Sequence, residues 1–165
     1  MRIAMNIIRT SVTVTALALA GADNAQDTKN ATKMKLQRLY TEYLTAEGYR
    51  PEIKGDGLVY FRREGKAYFI PVSERDQEFF QIILPNIWSI ESEKERGQVL
   101  TAANHTNATM KVVKVYTVDE QVWVSVELYM ASPGDFRAVF KRCLSAMDGG
   151  SAKFGLKMLE LQLKE

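Results

Sequence analysis

Histidine and cysteine, two side-chain types that commonly carry catalysis, occur once each in this 165-residue chain, as His105 and Cys143. A Ser-His-acid triad or a histidine metal site would have to draw on His105 alone. That residue stands between Asn104 and Thr106 near the end of an expected helix, where an exposed or capping role is the simpler assignment. Cys143 falls on the apolar stripe of a later expected helix, which is the setting of a small buried hydrophobe, and a single cysteine forms no internal disulfide. The acidic neighbours Glu91 and Glu93, and Asp119 and Glu120, sit at turns or at a helix start where water reaches them, whereas glycoside chemistry needs two acids held across a cleft. Gly55-Asp56-Gly57 lacks the strand-to-helix setting and following Lys of a phosphate-cradling loop, so it reads as a turn. Asn30-Ala31-Thr32, Asn104-His105-Thr106 and Asn107-Ala108-Thr109 match the glycosylation sequon, a pattern common by chance. No catalytic, cofactor-binding or metal-ligating set is expected.

The elements that would position any site begin after a distinctive N-terminus. Met1 to Arg9 carries Arg2 and Arg9 and no acid, Thr10 to Ala20 is an uncharged and mostly apolar run too short to cross a bilayer, and small residues follow at Ala20-Gly21-Ala22. This is the layout of a secretory signal peptide over residues 1–22, the alternative being a helix or strand of the domain itself. The expectation is an exported protein, periplasmic or secreted, or a membrane-anchored one if the segment is retained. Arg2 and Arg9 account for the whole excess of 22 basic over 20 acidic residues, so a chain without them is neutral. Lys and Arg are interspersed with acids throughout, which excludes the concentrated basic footprint of a nucleic-acid binder and the polybasic cluster of a membrane-surface protein.

Residues 23–30 are small and polar and read as a flexible lead-in; residues 31–165 read as a single domain without repeats. Leu36, Leu39, Tyr40, Tyr43 and Leu44 recur at helical spacing and predict a helix over about 31–47, ended by Gly48. Extended runs at 51–54, 58–63 and 66–72 are separated by Gly55-Asp56-Gly57 and Glu64-Gly65, which are hairpin signals. Residues 78–84 predict a further strand stopped by Pro85 and Asn86. Ser92 and Glu95 form a capping-box pattern opening a helix over about 93–106, with Val99, Ala102, Ala103 and Thr106 on one face. Strands follow at 110–117 and 121–130, the second with Val122, Val124, Val126, Leu128 and Met130 alternating with Gln121, Trp123, Ser125, Glu127 and Tyr129. Ser132-Pro133-Gly134-Asp135 opens a third helix whose stripe runs from Phe136 to Met147 and which Gly149-Gly150 is expected to end; a last helix spans about 152–163. The fold class is α+β, an antiparallel sheet of about five to six strands with helices before, between and after the strands.

Around residues 58–61, 67–70 and 79–84 the strands are apolar on both faces, although a sheet with one wet side should alternate. The second face therefore calls for a cover: the C-terminal helix, a second copy of the chain, or a bound partner. Two function classes follow. One is a non-catalytic protein-binding or regulatory domain whose sheet face bears Trp123 and Tyr129 together with Phe61 or Tyr60 and Phe69 or Tyr68, with Trp123, Tyr129, Phe61 and Phe69 as the partner-binding candidates. Its partner is a protein, a peptide or another copy of itself. The other is a small exported enzyme or apolar-ligand binder working through a carboxylate such as Glu127 beside those aromatics.

The order of several motifs resembles the YbjN-type family of bacterial domains. They are Tyr43-Leu44 to Gly48, Gly57-Leu58-Val59-Tyr60-Phe61, Tyr68-Phe69-Ile70-Pro71-Val72, Phe79-Phe80, Leu100 to Asn104, Met110 to Val115, and Phe136 to Leu144. That family in turn resembles the type III secretion chaperone fold. The resemblance spans about residues 33–154. It implies an α+β domain of the sensory-transduction-regulator type, and it brings no catalytic residues with it. The expected export signal departs from cytoplasmic secretion chaperones.

Overall fold

The computed structural model describes residues 15–55 and 57–164, with side chains described from Asp27 onward. The charged start and the beginning of the apolar run of the expected export signal, residues 1–14, lie outside the described residues. Ten elements follow in order: α1 (Thr15–Ala46), β1 (Glu52–Lys54), β2 (Leu58–Arg63), β3 (Lys66–Ile70), β4 (Phe79–Ser89), α2 (Glu93–Thr109), β5 (Val113–Val118), β6 (Gln121–Tyr129), a 3-10 turn (Pro133–Asp135) and α3 (Phe136–Gln162). The six strands form one antiparallel sheet in the order β1-β2-β3-β4-β6-β5. The architecture is the α+β class expected, with helices before, between and after the strands.

Local chemistry accounts for the hairpins and caps. Glu64 and Gly65 both adopt positive φ, 51° and 78°, the geometry that lets a two-residue turn follow the twist of β2 and β3. Ser92 accepts from the Glu95 amide at 3.2 Å, while the Glu95 carboxylate reaches the Glu91 amide at 2.7 Å and the Trp88 indole at 2.8 Å. The cap thus also ties α2 to the end of β4.

One side of the sheet carries the core. Val59, Phe61, Tyr68, Ile70, Phe80, Ile82, Val122, Val124 and Val126 are all buried there. Helices close over them: Tyr40 of α1 meets Phe80 at 5.8 Å between ring centroids, Phe140 of α3 meets Phe61 at 5.8 Å, and Phe136 meets Phe80 at 5.3 Å. α2 buries the expected Val99, Ala102, Ala103 and Thr106 and packs against α3 and β5.

Several boundaries differ from the sequence reading. α1 starts at Thr15, so the helix runs back through residues 23–30. Pro85 and Asn86 do not stop β4. They form an irregularity between the pairs Leu84↔Val124 and Trp88↔Val122, with Asn86 at φ 56°, and the strand resumes so that Trp88 packs edge-on to Phe154. A proline is tolerated there because a bulge releases it from the hydrogen-bond ladder. β5 begins at Val113, after a link in which Val112 takes φ 58°.

The expected break at Gly149-Gly150 is absent, and α3 runs unbroken for 27 residues. The sequence pattern of a helix stop instead marks a close approach: a Cβ on Gly150 would lie 2.7 Å from Cγ1 of Val113. Val113 is β-branched and cannot swing aside freely. Gly150→Ala is expected to lower stability by about 1–3 kcal/mol, the range for overpacking, despite the better helix propensity of Ala. Urea unfolding at constant slope measures it, and a stabilised variant would refute the close contact.

Candidate functional site

The side of the sheet opposite the core has no helix over it among the described residues. α3 lies on the core side, so of the three expected covers the C-terminal helix is not the one. Alternation along each strand sends Tyr60, Phe69, Phe79, Gln81, Ile83, Tyr116, Trp123, Ser125, Glu127 and Tyr129 to this outer face. Three cross-strand aromatic pairs organise it: Tyr60 with Phe69 at 5.4 Å, Phe79 with Tyr129 at 5.4 Å, and Tyr116 with Trp123 at 6.4 Å between centroids. Tyr129 is 80% exposed. The Trp123 indole donates to Asn86 Oδ1 at 3.2 Å, so the irregularity in β4 helps fix this ring.

Of the four candidates read from sequence, the structure places Trp123, Tyr129 and Phe69 on this face. Phe61 is corrected. It is fully buried on the core side, stacked on Tyr68 at 5.3 Å, and its neighbour Tyr60 points outward instead.

Between the aromatic pairs lies a compact polar cluster that sequence reasoning did not assemble. Glu127 Oε1 accepts from Gln81 Nε2 at 3.1 Å and Ser125 Oγ at 2.9 Å, and its other oxygen pairs with Lys114. These groups come from β4, β5 and β6, so the only sequence signal for the cluster was Glu127's outward position in an alternating strand. An open groove of about 700 Å³ runs past Gln81, Lys114, Tyr116 and Glu127. Burial alone would raise the Glu127 pKa, but the bonds from Lys114, Ser125 and Gln81 outweigh it and hold the carboxyl below its ordinary value.

An ionised carboxylate with three donors already on it is an anchor for its neighbours rather than a poised general acid. Among the described residues neither a second acid nor His105 meets it. His105 is exposed on α2, where its carbonyl accepts from Thr109. Because the folded-state pKa is depressed, Glu127 contributes stability above its unfolded value near about 4.3, and that contribution is lost as pH falls through the lower folded value. Glu127→Gln is expected to flatten the stability curve below about pH 5 and to cost about 1 kcal/mol at neutral pH, since Lys114 is largely in water. Denaturant midpoints between pH 2.5 and 7 measure it; an unchanged acid limb would exclude the cluster as its source.

The remaining sequence candidates are dispersed. Cys143 is buried at 3% exposure, and burial pushes its thiol up. Glu120 pairs with Arg96 at 2.6 Å. Asn107, noted as a sequon, uses its amide to accept from the Val115 N–H at 2.8 Å and donate to the Val115 carbonyl at 3.0 Å. It thereby occupies the free edge of β5 as a neighbouring strand would, which protects that edge from adding another chain. A groove of about 510 Å³ beneath the β4 irregularity, between Trp88 and Phe154, has Lys66 as its only ionisable lining residue. No group of three or more His, Cys, Asp or Glu side chains placed to hold a metal ion occurs among the described residues, and no described helix is long and apolar enough to cross a membrane. Comparison with known families and with curated proteins returns no match for this chain.

Proposed function

We propose that this chain is a non-catalytic protein-binding domain of the regulatory or chaperone-like kind, working outside the cytoplasm and capturing a partner on the outer face of its sheet. The observation that carries the reading is the row of half-buried and exposed aromatics, Tyr60, Phe69, Phe79, Trp123 and Tyr129, on a sheet face with no described helix over it. Rigid aromatic rings bring large contact area at low entropic cost, which is why they anchor protein interfaces. The polar cluster around Glu127 supplies directional hydrogen bonding in their midst. The order of motifs resembling YbjN-type domains and the signal-peptide layout of residues 1–22 support the regulatory role and the export. Partner capture from an envelope extract, with the native and Trp123→Ala proteins as bait, tests the reading. A protein retained by the first and lost by the second supports it, and identical captured sets overturn it.

A further inference from the structure

We propose a second binding site, for a free fatty acid carboxylate, on the opposite side of the molecule from the aromatic face. Between the start of β5, the end of β6 and α3 lies a groove of about 390 Å³, within the range of small-molecule sites. Its wall is apolar: Met110, Val112, Leu128, Val139, Cys143 and Ala146. Leu128 belongs to the core-facing row of β6, opposite buried Phe80, yet the groove leaves it only partly covered. The groove is therefore a breach in the core, able to take an alkyl chain against the same surface that Val126 buries completely.

Two cations, Lys111 and Arg142, also line the groove, and no acid does. Many of the protein's other cations are paired, as Arg63 is with Asp148 and Arg96 with Glu120. Lys111 and Arg142 make no ion pair or side-chain hydrogen bond among the described residues. An apolar trough with two unpaired cations and no carboxylate is complementary to one ligand class, a single-chain amphiphile with an anionic head. The link that carries Lys111 holds Val112 at φ 58°, a conformation unfavourable for a β-branched residue, and leaves that side chain 48% exposed. This backbone turn places Lys111 and Val112 together at the groove.

Calorimetric titration of the native protein with decanoate is expected to saturate below its micelle concentration. Calorimetry should give affinity at least about tenfold tighter for decanoate than for decanol. Lys111→Ala with Arg142→Ala should abolish that preference while leaving the far-UV spectrum and melting temperature unchanged. Ala146→Phe, or Val139→Trp should the first variant misfold, should remove binding of both. Absence of saturable binding, equal affinity for decanol and decanoate, or binding unaffected by the filled groove would overturn the proposal. So would retention on phosphatidylglycerol vesicles without any binding of monomeric decanoate.

Discussion

Phe61→Ala is expected to destabilise the domain by about 3–5 kcal/mol, while Tyr60→Ala, one residue away, costs about 1 kcal/mol. Phe61 is fully buried, stacked on Tyr68 and packed against Tyr49 and Phe140, so its removal leaves a cavity among three aromatic residues, one of them on α3. Against a total stability of about 5–15 kcal/mol this loss populates unfolded chain measurably. Tyr60 faces outward, where it touches Phe69 and accepts from the Arg62 guanidinium at 2.6 Å, and water fills the space it vacates. Guanidinium unfolding of both variants decides the matter. Equal losses would mean that β2 does not divide its side chains between a core face and a free one.

Combined truncation of Phe69, Trp123 and Tyr129 to Ala is expected to weaken partner binding at least about 100-fold, or about 2.7 kcal/mol, while the protein stays folded. The three rings lie on β3 and β6 with β4 between them, so they cover the middle strands of the face. Each has its own ring partner or hydrogen bond holding it in place before any partner arrives, which lowers the ordering cost of association. The expected result is a large fall in affinity by calorimetry, with unfolding midpoints that shift modestly. A fall in affinity only in proportion to lost folded protein would assign these rings to stability alone.

The sequence made the sheet legible where one face alternated cleanly. In β6, Trp123, Ser125, Glu127 and Tyr129 alternate with Val122, Val124, Val126 and Leu128, and the structure sends them outward together. Across β2 and β3 the pattern is apolar at every position from Leu58 to Phe61 and from Ala67 to Ile70, so periodicity could not say which set faces the helices. Phe61 and Tyr60 were interchangeable on that information, and the packing of Tyr49 and Phe140 against Phe61 distinguishes them. Gly149-Gly150 and Pro85-Asn86 failed for a related reason. Each is a valid local stop signal, overridden by a tertiary requirement: room for Val113 in the first case, and the reach of Trp88 to Phe154 in the second. The polar cluster was illegible because Gln81, Lys114 and Glu127 come together only once β4 and β5 have paired on either side of β6.

Site-specific photocrosslinking reads the docking face directly. A benzophenone side chain is placed at Tyr60 or Tyr129 on the aromatic side, or at Ala138 on the exposed side of α3, and the protein is irradiated in its host cells. A discrete protein adduct from positions 60 and 129, absent from position 138, is the expected result. Adducts confined to position 138 would contradict capture on the sheet's outer face.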